Sequence, residues 1–161
     1  MKHMRRETTL ALTTDAVEKT RQVGEELGRL LEPGDLICIY GPLGAGKTAL
    51  AQGVARGLGV TEAVVSPTFI LIREYRGRVP FYHFDAYRLH GPADLNLLGA
   101  EEYLAGDGVV LVEWADRVDP ALPAERLDIV LDYGGENKRR LSFVPRGARY
   151  RALVEELKRK L

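Results

Sequence analysis

With one cysteine, Cys38, the chain cannot build an internal disulfide framework, and this fits a reducing compartment. Cys38 lies in the apolar run Leu36-Ile37-Cys38-Ile39-Tyr40, where a thiol reads as a small core residue rather than a nucleophile. Long hydrophobic runs are missing too: none approaches the ~20 residues that a membrane span requires. The stretch Met1 to Arg6 is basic but no apolar segment follows it, which argues against a secretory signal and for a cytoplasmic location. Internal repeats, low-complexity tracts and linkers are also lacking. Residues 1–161 therefore read as one domain, with 1–8 expected to be disordered.

Neither sign of charge is in excess, since 23 Lys and Arg balance 23 Asp and Glu. The balance is local rather than uniform. Between Lys138 and Leu161 stand nine basic residues and two Glu, a surplus of +7 that the remainder of the chain offsets. Two readings fit: a solvated basic C-terminal helix, or a contact surface for RNA or an acidic protein.

What is present is an alternation of helical and extended signals. Thr14 or Asp15 can cap a helix, with Asp15 and Glu18 spaced as a capping box. Ala16, Thr20, Val23, Leu27, Leu30 and Leu31 then recur on one helical face. The turn Glu32-Pro33-Gly34-Asp35 leads into Leu36–Tyr40, an apolar run suited to a strand buried on both faces. Lys47 to Leu58 reads as a helix ended by Gly59, and Val64-Val65 as the start of another extended segment. Phe69 to Tyr75 and Val79 to Phe84 suggest a hairpin around Arg76-Gly77-Arg78. Pro92 opens a helix to about Ala105, and Val109 to Val112 is a second strongly apolar strand. After the loop Asp116 to Pro123, Arg126 to Tyr133 and Arg139 to Val144 form another hairpin, followed by a helix over 148–160. The expected fold is α/β, a single domain with a mixed parallel and antiparallel sheet flanked by helices, and the glycine-rich loop Gly41–Thr48 that follows Leu36–Tyr40 and ends in Lys47-Thr48 makes it P-loop NTPase-like.

Gly41-Pro42-Leu43-Gly44-Ala45-Gly46-Lys47-Thr48 matches G-x-x-x-x-G-K-[S/T] at every fixed position, between an apolar run and a helical one. Glycines let the backbone turn tightly and point N–H groups into a concave anion nest. The following helix adds its positive end. Gly44, Ala45, Gly46, Lys47, Thr48 and Ala49 are thus expected to contact the phosphates of a nucleoside triphosphate. Lys47 would supply a mobile charge to the outer phosphates, and Thr48 a hydroxyl for Mg²⁺. Two acids end extended segments, Asp85 and Glu113, and both would sit at the carboxyl ends of strands where ligands gather in open α/β sheets. Trp114 either closes the core or walls the nucleotide. His83, between Tyr82 and Phe84, reads as a packed residue with a hydrogen bond.

The order Gly41–Thr48, Ser66-Pro67-Thr68-Phe69, His83-Phe84-Asp85-Ala86-Tyr87-Arg88-Leu89 and Leu111-Val112-Glu113-Trp114 resembles the bacterial TsaE family. That family is the ATPase subunit of the tRNA threonylcarbamoyladenosine (t6A) modification system, and the resemblance runs from about residue 14 to 133. It implies binding of ATP or ADP with Mg²⁺, weak intrinsic hydrolysis, and assembly with TsaB and the transferase TsaD, with tRNA contacted indirectly or weakly. Carried over by position, Lys47 and Thr48 would serve phosphate and metal, and Glu113 would be the second metal-linked acid. Asp85 would lie near the γ-phosphate, making Lys47, Asp85 and Glu113 the catalytic set. Thr68 would belong to a loop that senses that phosphate. Pro42 and Ala86 depart from residues common in the family.

No arginine is evidently placed as a finger in cis, Arg88 being the candidate to consider, so hydrolysis is expected to need partners. Two other functions fit a compact phosphate-loop domain. One is a small-molecule kinase, for which Arg73-Glu74-Tyr75-Arg76-Gly77-Arg78 is the nearest arginine cluster; the other is a nucleotide-gated assembly factor that acts by binding alone.

Overall fold

The computed structural model describes residues 7–65 and 71–161. Its elements are β1 (Leu10–Thr14), α1 (Val17–Leu30), β2 (Leu36–Tyr40), α2 (Lys47–Gly57), β3 (Ile72–Arg76) and β4 (Pro80–Asp85). Then follow α3 (Pro92–Leu97), α4 (Ala100–Leu104), β5 (Val109–Glu113), β6 (Arg126–Gly135), β7 (Lys138–Arg146) and α5 (Ala148–Lys160), with two short 3₁₀ turns between β5 and β6. The strands form one seven-stranded sheet in the order β1-β7-β6-β2-β5-β4-β3. β6, β2, β5 and β4 run parallel at its centre, and antiparallel strands close both sides. The mixed sheet and both hairpins expected from the sequence are present.

β2 and β5 are buried along their whole length, as continuous apolar runs in a parallel sheet should be. Alternation along β2, β5 and their neighbour β6 splits the side chains between two cores. Ile37, Ile39, Leu111, Leu127 and Ile129 join the core under α1, α2 and α5. Cys38, Tyr40, Val110, Val112 and Val130 face the other core, beneath α3 and α4. Cys38 has no exposed surface, and burial pushes its thiol pKa up, as befits a core residue.

α1 and α2 meet through glycines on both sides. A Cβ on Gly24 or Gly28 would lie 2.5 or 2.3 Å from the carbonyl oxygens of Leu50 and Val54. On Gly53 or Gly57 it would lie 2.1 or 2.2 Å from those of Arg21 and Glu25. Only hydrogen fits at these four places, and the helix bearing the phosphate loop is set against α1 at backbone contact distance.

Several local expectations give way to tertiary contacts. Thr14 ends β1, an edge strand that the sequence reading did not anticipate, and its hydroxyl is 2.7 Å from that of Thr20. The N-cap of α1 is Ala16, without a side-chain cap; Asp15 pairs with Lys19 at 2.6 Å and Glu18 with Arg56 at 2.9 Å. The expected capping box on Asp15 and Glu18 is absent because the helix starts one residue too late for it. The helix expected from Pro92 to Ala105 is two short ones, broken where Gly99 takes a left-handed φ of 71°. Val64 is buried but lies in no strand, and β3 begins at Ile72; Phe69 and Ile70, the start of the expected strand, fall outside the described residues. Of the basic C-terminal stretch, Arg146 is engaged with Asp128 at 2.6 Å and Arg149 with Asp35 at 2.7 Å.

Candidate nucleotide site

The carboxyl ends of three adjacent parallel strands converge. β2 delivers the loop 41–46, β5 ends at Glu113 and β4 at Asp85, with Asp85 in register with Glu113 and Glu113 with Ile39. A cavity of about 550 Å³ opens there, lined by Gly44, Gly46, Lys47, Thr48, Asp85, Glu113 and Trp114 among others.

Gly44 and Gly46 take left-handed φ values of 78° and 99°, which side chains rarely adopt. The first hydrogen bond of the helix runs from the Leu50 N–H to the Gly46 carbonyl, 3.0 Å. The N–H groups of Lys47, Thr48 and Ala49 therefore lie outside the helical ladder, at its positive end. Ala45 differs: its N–H donates to the Pro42 carbonyl at 3.2 Å and its side chain packs in the core.

Lys47 is buried and folded back on its own loop. Its Nζ donates to the carbonyls of Gly41 and Pro42, both at 2.7 Å, and stands 3.8 Å from the Trp114 ring centroid. Burial holds its pKa below the usual lysine value, against the opposing pull of Glu113, Asp116 and Asp85. Trp114 does both things the sequence left open to it: it lines the cavity and packs, partly buried, against the core beneath α3 and α4. Its φ of 58° places a bulky residue in the left-handed region, a cost of about 1–3 kcal/mol that the surrounding structure must hold in place.

The two acids differ in their engagements. The Thr48 hydroxyl donates to Oε1 of Glu113 at 3.4 Å, while Oε2 of Glu113 meets Nε2 of the buried His83. Asp85 is buried, and its Oδ1 accepts from the Tyr87 N–H at 2.9 Å. His83 is a packed residue with a hydrogen bond, as expected. Thr68 lies outside the described residues. The structure therefore brings together Lys47, Thr48, Asp85, Glu113 and Trp114 over the loop glycines.

Among the described residues no cluster of three His, Cys, Asp or Glu side chains could hold a metal ion. A hydroxyl beside one carboxylate, next to an anion nest, instead suits a hard cation that takes its remaining oxygens from phosphate and water. The donor set fits Mg²⁺ bound with a nucleotide.

Three further residues make contacts at the site that the sequence had not assigned to them. The Tyr133 hydroxyl donates to the Leu43 carbonyl. The Arg139 guanidinium donates to the Gly44 carbonyl at 3.3 Å and lies 4.8 Å from the Tyr133 ring. Tyr87 packs on Trp114 with ring centroids 4.8 Å apart. Tyr87 had a local signal, its place two residues after Asp85; Tyr133 and Arg139 had none, because they come from a distant hairpin.

A phosphate loop between the central parallel strand and a helix, with acids on the neighbouring strand ends, defines an α/β domain of the P-loop type. Residues 14–141 match the family described as "Threonylcarbamoyl adenosine biosynthesis protein TsaE", and the chain belongs to this TsaE family. It is 44% identical over 143 residues to the tRNA threonylcarbamoyladenosine biosynthesis protein TsaE of Bacillus subtilis, covering 88% of this chain and 89% of that one. The protein of the same name from Nostoc is 44% identical over 133 residues, covering 80% and 81%. The crystal structure of Bacillus subtilis YdiB superposes with a TM-score of 0.84 at 41% identity, over 94% of this chain and 95% of that one.

Proposed function

We propose that this chain is a Mg²⁺-dependent ATPase of the cytoplasm, required for t6A modification of tRNA and activated in a complex with TsaD and TsaB. The observation that carries the reading is the Thr48 hydroxyl set 3.4 Å from the Glu113 carboxylate at the mouth of the glycine loop. The names of the relatives supply the pathway, since they are t6A biosynthesis proteins.

In this reading the N–H groups at Gly44, Gly46, Lys47, Thr48 and Ala49 receive the phosphate oxygens of ATP or ADP. Lys47 leaves the Gly41 and Pro42 carbonyls to meet the outer phosphates, and Trp114 holds the stem of its approach. Thr48 and Glu113 hold Mg²⁺, which when bound neutralises charge on the phosphates. Asp85 orients the water that attacks the γ-phosphorus as the bond to the ADP oxygen breaks. Thr68 senses that phosphate.

No arginine lines this cavity among the described residues. Such an arginine contributes about 10³–10⁵ in rate where present, so the isolated chain turns over slowly and its partners complete the site. The threonylcarbamoyl transfer belongs to TsaD, and tRNA meets this chain indirectly or weakly. The kinase alternative draws no support from its arginine cluster: Arg78 donates to the Gly28 and Leu31 carbonyls at 2.6 and 2.9 Å, at the end of α1.

Phosphate release by the purified chain, measured with and without TsaB and TsaD, tests the proposal. The rate rises when both partners are added; an unchanged rate with intact MgATP binding would overturn partner activation.

A further inference from the structure

His83 is a buried imidazole that the proposed chemistry leaves unused. It lies on β4 in register with Leu111 of β5, two residues before Asp85, with no exposed surface. Its Nε2 meets Oε2 of Glu113, whose other oxygen, Oε1, is the one facing the Thr48 hydroxyl at 3.4 Å. The carboxylate is thus held from both sides. A carboxylate oxygen only accepts, so the Nε2 side of the ring must present an N–H.

Packing alone does not account for a histidine here. Phe81 stacks beside the ring with centroids 6.0 Å apart and an interplanar angle of 21°. The far ring nitrogen, Nδ1, is buried with no hydrogen-bond partner among the described residues. A leucine or phenylalanine would fill the space beside Phe81 without burying an unpaired nitrogen, which carries a penalty. The N–H aimed at Glu113 is what an apolar side chain could not supply.

We propose that His83 is a positioning residue for the metal site: it fixes the rotation of the Glu113 carboxylate so that Oε1 is presented towards Thr48. Partners of this kind orient a ligand without touching the ion, and their loss typically weakens metal binding about 10–100-fold. The inference rests on the reading of Thr48 and Glu113 as the residues that hold Mg²⁺.

Calorimetric titration with ADP, in EDTA and then in Mg²⁺, separates the two. Wild-type protein binds ADP in EDTA and more tightly with Mg²⁺. His83→Phe keeps the EDTA affinity but loses about tenfold of the Mg²⁺ gain, whereas His83→Gln, whose amide N–H can reach the same oxygen, retains most of it. An undiminished gain in His83→Phe, or an equal loss in both variants, would overturn the positioning role. Absence of ADP binding by the wild type in either condition would instead overturn the nucleotide reading. A long-range ¹H–¹⁵N spectrum of the unliganded wild type needs neither variant to fold. A proton on Nε2 of His83 supports the proposal, and a bare Nε2 overturns it.

Discussion

The Tyr133 hydroxyl on β6 donates to the carbonyl of Leu43, at the tip of the phosphate loop 90 residues earlier in the chain. Arg139, across the hairpin, reaches the next carbonyl, that of Gly44, at 3.3 Å. The β6–β7 hairpin thereby braces the loop. Tyr133→Phe removes one net hydrogen bond of about 1 kcal/mol, so MgATP affinity falls a few-fold. The same loss lowers the melting temperature by only about 2–4 °C. Calorimetric titration alongside thermal melting checks this; unchanged affinity would mean that the brace does not matter for binding.

Glu113→Gln keeps an oxygen for the His83 contact but removes the charge. Nucleotide binding in EDTA is expected to survive, while the Mg²⁺-dependent gain and phosphate release are lost. Titration in the two conditions, with a phosphate-release assay, reads both. Full activity in this variant would pass the metal role to Asp85.

Gly53→Ala places a methyl group 2.1 Å from the Arg21 carbonyl oxygen, where backbone rather than a flexible side chain must yield. Overpacking of this kind costs about 1–3 kcal/mol, and separating α1 from α2 displaces the helix that begins at Lys47. Urea denaturation is expected to show the loss, with weaker nucleotide binding beside it. An alanine variant as stable as wild type would show that the helices part freely.

The Tyr150 hydroxyl accepts from the Leu36 N–H at 2.9 Å, at the start of β2. Burial pushes this phenol up to about 12 from its ordinary 10.0. The folded state then holds the proton more tightly than the unfolded chain. Its contribution is complete below pH 10 and is lost as pH rises towards about 12. Tyr150→Phe leaves the Leu36 N–H without its acceptor and costs about 1–2 kcal/mol near neutral pH. The gap to wild type narrows as pH rises through that alkaline window. Urea midpoints at neutral and alkaline pH measure it, and a gap that widens would contradict the assignment.

Much of the site was legible because its parts are contiguous. Gly41 to Thr48 carry their own strand, nest and helix start, and Asp85 and Glu113 announce themselves by ending apolar runs. Long-range contacts were not. No spacing in the sequence links Tyr133 to Leu43, and none shows that Trp114 both packs on the core and stands 3.8 Å from Lys47. β1 went unread because Leu10–Thr14 is a half-buried edge strand whose pairing with β7 lies more than 120 residues away in sequence. The capping box failed because β1 runs on to Thr14 and the helix begins at Val17 behind Ala16, which leaves Asp15 one residue outside the N-cap position.

The most direct test of the central claim is calorimetric titration of the wild-type chain and of Lys47→Ala with MgATP. One site is expected in the wild type, weakened by EDTA, and none in Lys47→Ala, with both proteins folded by circular dichroism. A wild-type chain that binds no MgATP, or a Lys47→Ala chain that binds it equally well, would contradict the account.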